Sequence, residues 1–369
     1  MNRLFGWKQT GLFLLALAAG ILPFAVPEVC AAALREGLTL CSGPLLLSLF
    51  PFLVVSRLLV QCPESDLLAL PFRLAAWGIG IRTPCAARVL CIGFLGGFAP
   101  AASAAAQAVR TGQLTVEEAD ALLPACICSG PSFVVLTVGQ SLLGSAELGV
   151  LLFASQITAN YLTAALLNRF AGVRSAKPGS AVPAFPAPPR LDEILADAAI
   201  TYCKLCGFIL FFRMLAAGAG ALLPAGAGTL CAILLEVCSG CDLASRTGRW
   251  GSLLCCAALS VQGLSVLLQV RTICPPEMTL RPLYRSRLLH LPLSLALFYL
   301  LLPGGETDVF STLSARVLLM RRVPPDCALL VFAVCCMAAC TLRSGIRQVE
   351  QKQMARNAGG CCINSKTLL

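Results

Sequence analysis

GFLGGFAPAAS, from Gly93 to Ser103, is apolar enough for lipid yet carries three glycines and a proline in eleven residues. A second stretch of the same kind, AGAGTLCAILLEVCSGCD from Ala225 to Asp242, adds one buried-looking acid, Glu236, to its breakers. Glycine and proline interrupt helices. Interrupted backbone at membrane depth is tolerated only where it is buried in protein or lines a watery cavity, because lipid offers no hydrogen-bond partners. The two stretches together therefore predict a membrane protein with a polar chamber.

The rest of the chain supplies the lipid-facing material. Of 369 residues, 57% are apolar and 12% charged, with a mean hydropathy of +0.82. Soluble domains sit nearer one half and about one quarter. A soluble globular protein is excluded, and a helical integral membrane protein is expected. The net charge of +10 is no nucleic-acid footprint, since the 28 Lys and Arg lie mostly between apolar runs, where they set topology. Most of the 21 cysteines lie inside those runs and behave as small apolar residues. Cys203/Cys206 and Cys238/Cys241 have metal-ligand spacing, but a zinc site wants four ligands and the one histidine is His290. No metal and no organic cofactor is expected. A carboxylate dyad, a phosphate loop and a Ser–His pairing are all missing, so an enzyme is not expected.

A hydrocarbon core about 30 Å thick is crossed by roughly 20 helical residues. Charge-free runs cover 11–27, 37–56, 89–109, 121–146, 148–168, 214–235, 251–270 and 288–305, with a shorter one at 327–342. The first reads as an uncleaved helix, because it is long for a signal peptide and holds Pro23 and Pro27. Residues 67–81, with Arg73, read as an interfacial segment. Arg3 and Lys8, then Arg169, Arg174, Lys177 and Arg190, then Arg271, Arg281, Arg285 and Arg287, then Arg343, Arg347, Lys352 and Arg356 mark the cytoplasmic side. Five runs separate the first two groups, an odd number, so one run in that half must turn back; between the next two groups lie 214–235 and 251–270, and the breaker-rich stretch that begins in the former is read as turning back as well. The breaker-rich stretches are those runs. Arg246 and Arg249, with Arg316, Arg321 and Arg322, then fall on the opposite side.

The halves also resemble each other. FLVVSRLL (Phe52 to Leu59) lies on FILFFRML (Phe208 to Leu215), placing Arg57 on Arg213; SGPSFVVLTVGQ (Ser129 to Gln140) lies on VQGLSVLLQV (Val261 to Val270). The expected fold is an all-α integral membrane protein, a polytopic helical bundle with an inverted repeat, two re-entrant hairpins and broken helices. Its parts are an N-terminal transmembrane helix (1–33), a first repeat (34–170), a Pro-rich basic cytoplasmic linker (171–193), a second repeat (194–304), and a C-terminal transmembrane helix with a basic tail (305–369). Inverted repeats whose broken helices meet near the midplane are an architecture of secondary transporters.

In order along the chain, GFLGGFAPAAS, GQLTVEEADALL (Gly112 to Leu123), SGPSFVVLTVG, LLEVCSGC (Leu234 to Cys241), GLSVLLQV and RPLYRSRLLH (Arg281 to His290) resemble the YlbJ family of sporulation integral membrane proteins, within the nucleoside-recognition or Gate group. The resemblance implies a nucleoside-transporter-like organisation. It also implies a place in the mother-cell or outer forespore membrane of an endospore former, and dipicolinic acid as the solute. The family's Gly-Ala-Lys is replaced here by Ala101, Ala102 and Ser103, and its amide pair before Gly-Pro by Ile127 and Cys128.

Glu236 is the leading candidate for handling a coupling ion, Na⁺ or H⁺, because an ionisable group at membrane depth costs about 2.5–3.5 kcal/mol and needs a reason. Gly97 to Ser103 and Ser239–Gly240 are read as hairpin tips. Ser129, Gly130, Ser132, Gly263, Ser265 and Gln269 are read as unwound polar backbone and side chains for solute or ion. Arg57 and Arg213 would supply guanidinium forks to an anion. Gln156 and Asn160 are expected as packing glue, and TVEEAD (Thr115 to Asp120) as a capped surface helix. The expected function is alternating-access transport of a small anionic solute, dipicolinate in the resemblance's terms. The alternatives are a permease for nucleosides or other neutral solutes, and a non-transporting assembly protein needed for spore formation. The expected partners are the small anionic solute and the lipid bilayer, nucleic acid is not expected, and the oligomeric state is left open.

Overall fold

The computed structural model describes residues 2–61, 63–172 and 191–302. Most of the linker and everything expected of 305–369, including the run at 327–342, lie outside them. Within the described residues the chain is helical and contains no strand. In order come α1 (Asn2–Ala25), α2 (Pro27–Ser42), α3 (Pro44–Gln61), α4 (Leu70–Gly78), α5 (Pro84–Gly96), α6 (Phe98–Arg110) and α7 (Val116–Cys126). A π-helical segment (Ser132–Leu142) and α8 (Ala146–Ala171) follow, then α9 (Leu191–Leu222), α10 (Ala225–Leu235), α11 (Val237–Ser245), α12 (Gly251–Val261), α13 (Gly263–Ile273) and α14 (Arg281–Leu301).

Among the described residues, three stretches are long and apolar enough to cross a membrane: α8, α9, and Gly248–Ile273, which contains α12 and α13. Leu15–Ala25 and Pro27–Ser42 would add a fourth only as one bent span, because the chain turns by 109° between them. Several expected spans are cut shorter than their apolar runs suggested. Residues 37–56 break at Gly43, which separates α2 from α3. Residues 214–235 are not one span: α9 ends at Leu222 and α10 returns along it, so that a Cβ on Gly228 would stand 3.0 Å from Gly220 Cα. Pro224 in extended conformation directs that reversal.

α9 runs antiparallel to α2 and α3 over almost its whole length. Arg57 of α3 pairs with Asp197 near the start of α9, the Tyr202 hydroxyl donates to the Cys41 carbonyl, and Arg213 pairs with Glu36 of α2 at 2.7 Å. α4 leaves Leu70, Leu74 and Trp77 exposed beside exposed Arg73, the amphipathic pattern of a helix lying at an interface. The expected surface helix at TVEEAD is a correction. The cap is there, with the Glu118 N–H donating to Thr115 Oγ1 at 3.1 Å and the Thr115 N–H to Glu118 Oε2 at 3.1 Å. The helix it starts, α7, is nevertheless buried from Glu118 to Cys126. Glu118 can go inside because Thr83 also donates to it, and Asp120 because the Thr279 and Leu280 amides and the Thr279 hydroxyl do.

Candidate functional site

Four interruptions of the helical chain come together in one place. The first is Gly97, between α5 and α6, with φ +81° and ψ −164°, a conformation essentially confined to glycine. The chain folds back there: a Cβ on Gly93 would stand 3.2 Å from Ala101 Cβ, although eight residues of continuous helix would separate them by about 12 Å. The second interruption is residues 127–131, between α7 and the π-helical segment. The third is Glu236, extended at φ −152° between α10 and α11, where the chain folds back again and a Cβ on Gly240 would meet Ile233 Cα at 2.8 Å. The fourth is Gln262 with Gly263, both left-handed at φ +62° and +69°.

Two close approaches bring these interruptions together. In the first half the turn at Gly97 lies against the break at Gly130: a Cβ on Gly97 would meet the Gly130 nitrogen at 2.8 Å. In the second half the turn at Glu236 lies against the break at Gly263, where a Cβ would meet the Glu236 nitrogen and Leu235 oxygen at 2.9 Å. Gln262 then joins the halves, its Nε2 donating to the Ile127 carbonyl at 3.1 Å.

A cavity of about 80 Å³ opens beside the first three, with Gly97, Ser129, Gly130, Ser132, Glu236 and Gln269 in its lining together with Phe52 and Ile209. Glu236 is 2% exposed and caps α11: the Cys238 N–H donates to Oε1 at 2.8 Å and the Ser239 N–H to Oε2 at 2.7 Å. Amides at a helix start are unpaired and carry positive partial charge, so the cap explains how a carboxylate sits this deep. Gln269 donates from Nε2 to Ser265 Oγ at 2.9 Å and leaves its buried Oε1 without a partner. The lining is mostly apolar, with Leu45, Leu49, Leu95, Phe98 and Val266 in it; its polar side chains are Ser129, Ser132, Glu236 and Gln269, and it holds no Lys or Arg.

The other expected site residues fall around this chamber. Ser239 supplies an amide to Glu236, Gly240 and Gly263 permit the close approaches just described, and Ser265 holds Gln269. Arg57, Arg213 and Ser103 do not reach the chamber. Arg213 is held by Glu36. Arg57 and Ser103 line a second cavity of about 150 Å³, together with Arg110, Lys204, Asp197 and Thr272. This vestibule lies about one helical turn away along each of four helices, passing from Phe52 to Arg57, Phe98 to Ser103, Ile209 to Leu205 and Gln269 to Thr272. Buried Leu53, Ala99 and Leu205, packed with Phe98 and Ile273, close the way between. Its three cations against one carboxylate give a formal charge of +2.

A polar layer beside the chamber is less legible in the sequence. Gln156 and Asn160, expected as packing residues, belong to it: Gln156 Nε2 donates to Ser260 Oγ at 3.1 Å and Arg287 donates to Asn160 Oδ1 at 3.1 Å, while Asn160 Nδ2 is buried without a partner. Arg287, grouped in the sequence with cytoplasmic loop residues, is buried in the bundle because α14 begins at Arg281 and turns that side chain inward. The neighbouring Arg281 and Arg285 stay exposed. A three- to four-residue spacing of Leu283, Arg287 and His290, all buried on one helical face, is the signal that would have found it. Every cysteine among the described residues is a free thiol, and no group of three or more potential metal ligands occurs among them.

No family model matches the chain, and neither the curated proteins nor the solved structures contain a match.

Proposed function

We propose that the chain is a multi-pass membrane carrier for a small solute, working by alternating access. The observation that carries this reading is the meeting of four helix interruptions beside one mostly apolar chamber that holds Glu236, Gln269 and two serine hydroxyls, with Gly97 against Gly130 and Gly263 against Glu236. On this reading α5–α6 and α10–α11 are re-entrant hairpins, α7 with the π segment and α12–α13 are broken spans, and the halves form an inverted repeat. Such a scaffold opens to either face by moving one half against the other. The resemblance to the YlbJ family and the Gate group agrees with this organisation and suggests a forespore-membrane setting.

The chamber's lining favours a neutral solute rich in hydrogen-bond donors, a nucleoside or a molecule like it. The free Gln269 oxygen and the serine hydroxyls attract donors, and no Lys or Arg stands in the lining to pair with an anion. The anionic reading, dipicolinate in the resemblance's terms, keeps one observation of its own: the vestibule of charge +2, which raises the local concentration of anions. On that reading Glu236 is the residue that handles the coupling ion.

Uptake of uridine and of dipicolinate into liposomes holding the purified chain separates the two. The neutral reading expects uridine uptake that competing nucleosides block and dipicolinate does not. Dipicolinate uptake that rises with acidity and loses its pH dependence in Glu236→Gln supports the anionic reading. Absence of any uptake, with a forespore assembly partner mislocalised in a deletion strain, leaves the non-transporting assembly protein.

A further inference from the structure

Arg287 is 7% exposed and has no carboxylate partner among the described residues. A buried charge without compensation costs several kcal/mol, so its neighbours have to supply negative charge in another form. Its guanidinium donates to four oxygens, all formally neutral: Ser286 Oγ at 3.2 Å, Asn160 Oδ1 at 3.1 Å, and the backbone carbonyls of Pro124 and Ser260, each at 3.5 Å. The two carbonyls share a property. α7 ends at Cys126 and α12 at Val261, and the last four carbonyls of a helix have no donor within the helix. Pro124 and Ser260 each fall in that last turn. The Leu123 and Ala258 carbonyls, at the start of it, are taken by the Ile127 and Gln262 amides. Those of Pro124 and Ser260 are left to Arg287.

We infer that Arg287 is the positioning residue of the proposed carrier site, a single cation that clamps the C-terminal ends of both interrupted helices, one from each half, and so fixes how the two breaks face the chamber. The inference rests on the carrier reading for its functional part. The charge arithmetic closes: a helix C-terminus carries about −0.5 elementary charge, so two of them offset one guanidinium without any acid. Arginine suits the place because its planar fork serves several acceptors at once, whereas an ammonium is a point charge. Gln262 completes the arrangement by holding the Ile127 carbonyl, the next one beyond α7. The clamp touches neither the chamber lining nor the vestibule, so its influence on solute passes through the breaks it holds.

The test uses the full chain in lipid nanodiscs, with Arg287→Met and Arg287→Lys beside wild type, read by hydrogen–deuterium exchange and by uptake. In Arg287→Met, peptides over 120–130 and 256–265 are expected to exchange about tenfold faster together, while a peptide over 205–215 in α9 stays unchanged. Lysine is expected to retain part of the protection, with a rise of about threefold at the two breaks. Loosening at one break only, or no change at either in a folded variant, overturns the clamp. Should Arg287→Met fail to fold, the lysine variant decides, and an unchanged exchange pattern there is equally fatal. For whichever solute the wild type carries, KM is expected to rise about tenfold in the methionine variant and less with lysine, at equal amounts of folded protein; an unchanged KM removes the functional part. If the wild type carries nothing, the carrier reading fails while the exchange measurement still judges the clamp.

Discussion

At the scale of single residues, the chamber depends on two glycines and one acid. Gly97 and Gly263 combine positive φ with backbone at 2.8–2.9 Å from where a Cβ would sit, so alanine at either adds a steric collision to the conformational penalty. Gly144 has φ +76° but nothing within 4 Å. Gly144→Ala is therefore expected to cost about 1–2 kcal/mol and Gly97→Ala or Gly263→Ala about 3 kcal/mol or more, measured as thermal unfolding in detergent. Equal costs at all three would mean that the turns do not press on the breaks. Glu236→Gln keeps an acceptor oxygen but loses the charge that faces the start of α11, at an expected cost of about 1 kcal/mol, and Glu236→Ala about 2 kcal/mol. Its position inside an apolar run was readable in the sequence. Its partners were not, because a cap depends on where the chain turns.

At the scale of elements, two ion pairs tie α9 to the N-terminal half. Arg57 and Arg213, matched by the internal comparison of the halves, each reach an acid on the opposing strand of the helix pair, Asp197 and Glu36. Asp197 and Arg213 are 16 residues apart on α9, about 24 Å of helix. The pairs thus stand at opposite ends of the antiparallel packing, with Ile209 and the chamber between them. The arginine side chains are 11% and 15% exposed but the acids 59% and 66%, so water screens both interactions. Double-mutant cycles are expected to return at most about 1 kcal/mol per pair; values of several kcal/mol would show the acids buried by something else, such as lipid or a second subunit. The internal match identified these arginines but pointed them at a solute. Their partners lie 140 and 177 residues away, and no local pattern reveals a contact over that separation.

At the scale of the whole molecule, the breaker-rich apolar runs coincide with helix interruptions at Gly97 and Glu236, where the chain folds back on itself; that these are re-entrant hairpins belongs to the proposed carrier reading. What the sequence concealed were the cuts at Gly43 and Pro224 within apolar runs, the burial of α7 and the inward turn of Arg287. Each reflects tertiary packing that overrides a local reading: a capped acidic segment goes inside when Thr83, Thr279 and Leu280 satisfy its acids, and an arginine does so when two helix ends face it. The account stands on the four breaks facing an aqueous path that opens to each side in turn. The most direct measurement places cysteines at Ser129 and Ser239 and applies a charged, membrane-impermeant maleimide to right-side-out and inverted vesicles, with modification read site by site by mass spectrometry. The account predicts that both positions are modified from either side, more slowly when the carried solute is present. Modification from one side only, or from neither, would contradict it.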